Sequence, residues 1–101
     1  MCSSDLNMLI ALFCFDKPNS VDLRMKVRPE HLAWVESTGV ELVFAGPMLN
    51  EQGEGPHGSI FVGEFESLAA AEAFSKADPY AKNGLFERVI IKRTRQVYPQ
   101  K

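Results

Sequence analysis

Residues 8–15 are apolar at every position, in two alternating sets: Met8, Ile10, Leu12 and Cys14 on one side, Leu9, Ala11, Phe13 and Phe15 on the other. A strand of that kind needs cover on both faces of its sheet. Asp16-Lys17-Pro18-Asn19 breaks the run as a turn, and Ser20 is placed to cap a following helix. Residues 21–38 carry helical spacing, with Met25, Leu32 and Val35 on one stripe and Gly39 as a C-terminal cap. Pro29 interrupts that pattern. Either the helix kinks there, or a second helix begins with Pro29 in its first turn.

Residues 40–45 alternate as a strand, and Gly46-Pro47 opens a turn-rich connector that runs to Gly58. Residues 59–66 form the next strand, so the two make a hairpin with a long loop. Ser67 is a cap candidate for Leu68–Ala77, a stretch of strong helix formers with Leu68, Ala71 and Phe74 as its core face. Pro79 disfavours helical geometry at Asp78 and ends that helix. After the Asn83-Gly84 turn, residues 85–97 read as the last strand, centred on Val89, Ile90 and Ile91. The order β-α-β-β-α-β predicts an α+β, ferredoxin-like fold: a four-stranded antiparallel sheet with two helices on one face. The other face would show apolar side chains to water, so a sheet-on-sheet homodimer is expected.

The length of 101 residues suits one domain, assigned to 8–99. Residues 1–7 are short and polar. They are read as a disordered or added extension, not a signal peptide. No apolar stretch reaches the ~18 residues of a membrane span. The formal charge of -2 gives no footprint for nucleic acid, and the Lys92, Arg93 and Arg95 cluster is read as a solvated strand end. Cys2 and Cys14 lack the spacing of a zinc site. No metal and no cofactor are expected, and a reducing, cytoplasmic compartment is inferred.

Candidate chemistry rests on His31 and Asp78. A histidine and a carboxylate meeting at one end of a sheet are the ingredients of acid–base catalysis near neutral pH. Arg24, Arg28, His31 and Val35 recur at helical spacing. Arg24 is read as part of a solvated face. Arg28 is read as an anion ligand beside His31. Tyr80 is either a core aromatic or the cap of a pocket. Gly46 and Pro47 are a plain turn or a place where substrate approaches the backbone. Ser59 is a turn partner or a pocket hydrogen bond. His57 is expected in solvent and Trp34 in packing.

Met8-Leu9 at the head of an apolar strand, Arg28-Pro29-Glu30-His31-Leu32, Ala45-Gly46-Pro47-Met48, Gly58-Ser59 and Asp78-Pro79-Tyr80 together resemble the YciI-like (YCII-related) family. The resemblance implies a dimeric α+β barrel-type assembly. It also implies an active site on His31 and Asp78, with some members similar to enzymes that eliminate HCl from a hydroxylated ring. The resulting expectation is a small cofactor-independent enzyme of lyase or isomerase type. It would act on a small anionic or phenolic molecule bound by Arg28, Ser59, Tyr80, Gly46 and Pro47. The alternatives are a non-catalytic ligand-binding or regulatory dimer and a cofactor-less monooxygenase of the same barrel class.

Overall fold

The computed structural model describes residues 7–100. The extension expected at residues 1–7 therefore lies, but for Asn7, outside the described residues. The chain runs β1 (Met8–Asp16), α1 (Val21–Ser37), β2 (Glu41–Met48), β3 (Gly58–Phe65), α2 (Leu68–Ala77), α3 (Pro79–Lys82) and β4 (Phe86–Thr94). The strands form one sheet in the order β2-β3-β1-β4, and every neighbouring pair is antiparallel. This is the ferredoxin-like arrangement that the alternation predicts.

The two-residue period of β1 explains how the core is laid out. Ile10, Leu12 and Cys14 point to the helices and are wholly buried, joined there by Phe61 and Phe65 of β3 and by Ala71 and Phe74 of α2. Phe74 meets Phe61 and Phe65 edge to face at 5.3 and 5.2 Å, and Trp34 of α1 closes on it at 4.8 Å with the rings tilted by 42°. Such pairs add about 0.5–1.5 kcal/mol each beyond the area they bury. A smaller cluster of Val27, Tyr80 and Leu85 fills the space between α1 and α3.

Several expectations change. Helix α1 is a single helix of 17 residues with Pro29 inside it, so no second helix begins there. Proline removes one backbone donor from the ladder. The inward residues of α1 are Arg24, Val27 and His31, while Met25 and Leu32 are exposed. Leu68 is 49% exposed because it stands in the first turn of α2, beyond the sheet it was expected to cover. Gly46 and Pro47 are not a turn: they continue β2 and pair with Ile60 and Ser59. Proline is tolerated there because β2 is an edge strand, where its missing N–H costs no ladder bond. Strand β4 stops at Thr94, and Val97 and Tyr98 beyond it are exposed. The short helix α3 was not foreseen. Pro79 begins it at a position where proline suits a first turn.

The caps follow the sequence in part. The Ser67 hydroxyl accepts the Ala70 N–H at 3.0 Å, and Gly39 closes α1 with φ of 72°. Ser20 occupies the cap position of α1, but its hydroxyl donates to the Pro18 carbonyl instead.

Candidate functional site

Alpha helix α1 supplies two polar residues to one inward stripe. Arg24 and His31 are seven residues apart, two turns along the same face. Opposite them, Asp16 ends β1 in phase with Cys14, and Ser59 begins β3 in phase with Phe61, so both point to the helix side. Gly58 allows this close approach. A Cβ there would sit 2.6 Å from the Cys14 carbonyl oxygen, a distance no larger residue tolerates without movement.

The Asp16 carboxylate takes Arg24 bidentately, Nε to Oδ2 at 2.7 Å and Nη2 to Oδ1 at 3.0 Å, and the pair is almost sealed from solvent. Arg24 Nη2 also donates to Ser59 Oγ at 2.8 Å. With 4% exposure, Arg24 is a buried ion-pair partner, and the solvated-face expectation fails for it. Neither Arg24 nor Asp16 was singled out as a site residue. The signal that finds them is the phase: Asp16 continues the Cys14 set of β1, and Arg24 precedes His31 by two helical turns.

Asp78 does two jobs with one oxygen. Its backbone, at φ −59° and ψ 130°, leaves the helical region as the following proline requires. Its Oδ1 then accepts the Tyr80 N–H at 2.9 Å as the cap of α3, and meets His31 Nδ1 at 2.9 Å. Asp78 is completely buried, and its Oδ2 has no partner among the described residues. An ionised carboxylate only accepts, so toward it the ring donates through Nδ1–H, and Nε2 is the nitrogen left for another partner. Among the described residues no hydrogen bond engages Nε2, and it is not sealed from solvent.

Tyr80 lies against both arms of α1. Its ring stacks on the His31 imidazole, centroids 4.0 Å apart at 16°, and the Arg24 guanidinium stands 4.4 Å from its centroid. The Tyr80 ring thus contacts both the imidazole and the guanidinium. Burial pushes the Tyr80 phenol above its ordinary value. Asp78 and Asp16 add to the rise, and Arg24 and Arg28 oppose it.

These groups border a cleft of about 300 Å³ between α1 and the β2–β3 edge. His31, Arg28, Ser59, Tyr80, Gly46 and Pro47 all line it, as does Arg24, with Met25 and Leu32 among its apolar walls. Asp78 does not reach the cleft and stands behind His31. Trp34 packs on Phe74, and His57 is exposed on the connector. Among the described residues no three His, Cys, Asp or Glu side chains gather as a metal site, and no helix is long and apolar enough to cross a membrane.

The YCII-related domain model matches residues 8–95. The chain belongs to the YCII-related family. It is 41% identical over 98 residues to Protein YciI of Escherichia coli O6:H1 (strain CFT073), a match that spans 90% of this chain and all of that protein. Among solved structures, it is similar to 5-chloro-2-hydroxyhydroquinone dehydrochlorinase (TftG) from Burkholderia phenoliruptrix AC1100, solved in complex with 2,5-dihydroxybenzoquinone. The TM-score is 0.80 at 31% identity, over 87% of this chain and 94% of that one. An antibiotic biosynthesis monooxygenase superposes with a TM-score of 0.53 at 13% identity, over 89% of this chain and 98% of that one, which shows a shared fold alone. The α+β, ferredoxin-like fold is common to this chain and both solved structures.

Proposed function

We propose that this protein is a cofactor-independent enzyme of lyase or isomerase type in which His31 and Asp78 carry out acid–base chemistry on a small phenolic or anionic compound. One observation carries the reading: His31 Nδ1 meets a fully buried carboxylate while Nε2 has no partner among the described residues and the ring lines a cleft. That arrangement makes Nε2 the base. In an elimination, Nε2 takes a substrate proton, the electron pair left behind forms the new double bond, and the leaving group departs as an anion. Asp78 steadies the imidazolium through Nδ1–H, and the ring then returns its proton to solvent. Arg28 and Ser59 face the same space and stabilise charge that develops on a substrate oxygen. A positioned base supplies about 10²–10⁴-fold, enough for substrates already activated by ring hydroxyls. The likeness to a dehydrochlorinase supports elimination as the reaction type.

The test is chloride release from 5-chloro-2-hydroxyhydroquinone and related halogenated hydroxyquinols. Release by the protein, lost in His31→Ala, is the expected result. Tight binding of 2,5-dihydroxybenzoquinone with no turnover of any of them would replace catalysis by ligand binding.

A further inference from the structure

The cleft holds a second set of polar atoms besides His31, and their hydrogen bonds are incomplete in a directed way. A guanidinium has five N–H donors. Asp16 and Ser59 use Nε and Nη2 of Arg24. The two hydrogens on Nη1 have no acceptor among the described residues, and Nη1 is not sealed, since Asp78 Oδ2 is the buried side-chain atom left without a partner. Arg24 borders the cleft, and its Nη1 is left open for a further partner. Ser59 is in the same condition. Its Oγ accepts from Arg24, so its hydrogen must point elsewhere, and no acceptor among the described residues receives it. Ser59 too borders the cleft. A guanidinium nitrogen and a hydroxyl therefore border one space with no acceptor for them among the described residues.

We propose that Arg24 Nη1 and Ser59 Oγ–H form a two-donor hole for one phenolate or enolate oxygen of the ligand, locked in place by Asp16. This deepens the acid–base reading and rests on it only in taking His31 as the reacting end of the same cleft. The choice of a single oxygen follows from the fork. Arg24 presents its bidentate edge to Asp16, so what remains is one nitrogen and one hydroxyl, a poor match for the two oxygens of a carboxylate. The hole is pre-organised, because Asp16 and the Tyr80 ring hold the guanidinium from two directions. The Tyr80 ring contacts both the guanidinium of the hole and the His31 imidazole. A ligand that reaches both ends is a substituted ring with oxygen functions on opposite sides.

The probe is 4-nitrophenol, whose absorbance distinguishes phenol from phenolate. The full chain should bind the phenolate form preferentially, and the bound probe should titrate at lower pH than the free one. Ser59→Ala should weaken phenolate binding about 10- to 100-fold, the loss of one hydrogen bond to a charged oxygen. It should also move the bound titration back toward the free value, while Ser59→Thr restores both. Arg24→Lys keeps a charge for Asp16 but removes Nη1 and should weaken binding in the same way. If that variant fails to fold, the two Ser59 variants decide alone. Unaltered affinity and titration in Ser59→Ala overturn the hole, as does failure of the wild-type protein to bind the phenolate. The two ideas fail separately. Loss of chloride release in His31→Ala beside normal probe binding in Ser59→Ala removes the hole and leaves the base. A phenolate signature that survives in His31→Ala, with no turnover by any variant, does the reverse.

Discussion

His31 and Asp78, 47 residues apart in the chain, meet at 2.9 Å through an oxygen that also caps α3. The carboxylate is thus fixed by the local backbone before the histidine reaches it. A buried acceptor held in this way sets the imidazole tautomer and orientation without depending on a mobile side chain. Its position behind the ring, away from the cleft, suits a positioning group.

His31→Ala and Asp78→Asn should each lower kcat by about 10²–10⁴-fold, and the double variant should be little worse than either, because the two act as a unit. Asparagine still accepts the Tyr80 N–H, so the cap of α3 survives. Steady-state turnover beside thermal melting checks this. Additive losses, or an Asp78→Asn protein that turns over normally, would disconnect the pair from catalysis.

Asp16→Ala should destabilise the protein by about 3–5 kcal/mol, since it leaves the Arg24 charge buried without its partner. Asp16→Ala combined with Arg24→Met should recover part of that loss. Urea unfolding of the three proteins measures both effects, and a single variant as stable as the parent would show that the pair contributes nothing.

Cys14 carries the clearest pH consequence. Burial pushes its thiol from 9.0 up to about 12, with Asp78 and Asp16 adding to the rise and Arg24 opposing it. The native state then holds this proton more tightly than the unfolded chain. The stabilisation is complete below pH 9 and is lost as pH climbs toward 12. Tyr80 titrates in the same sense. Iodoacetamide at pH 8 should leave Cys14 unmodified in the native protein and alkylate it after unfolding, as mass spectrometry of its peptide would show. Cys14→Ala should flatten part of the alkaline fall in melting temperature.

We expect a homodimer, built sheet on sheet. The face of the sheet away from the helices carries Phe13, Ile60, Val62 and, on β2, Phe44, which pairs with Val62 and is 52% exposed. The neighbouring Val43 is 53% exposed at the irregularity between Leu42 and Phe44. An apolar face of this kind is seldom left in water. Sedimentation should give twice the 11.3 kDa chain mass, and Phe44→Lys should shift the species toward monomer. A monomeric parent protein at micromolar concentration would remove the argument.

Strand β1, helix α2 and the break at Asp78-Pro79 were all legible, because each rests on local rules: alternation, helix-forming side chains and the restriction a proline places on the residue before it. Helix α1 was harder to read. Its buried residues are Arg24, Val27 and His31, two of them polar; Trp34 and Val35 pack on the core partly buried, while the exposed Met25 and Leu32 border the cleft. Gly46-Pro47 reads as a turn on composition. Only the edge position of β2 allows a proline to continue a strand there.

By itself, the sequence determined the order of the four strands and the two long helices, the two-sided apolar strand inside the sheet and the residue types from which a site could be made, because each depends on neighbours a few positions away. Which polar residues became partners was decided by the tertiary structure. Arg24 looks solvent-facing along the chain. It becomes a buried fork because β1 and β3 lie side by side and bring Asp16 and Ser59 under the same turn of α1. The cost of burying a charge is met only where an opposite charge is already in place, and that place is set by strand register and helix packing, which no local pattern encodes.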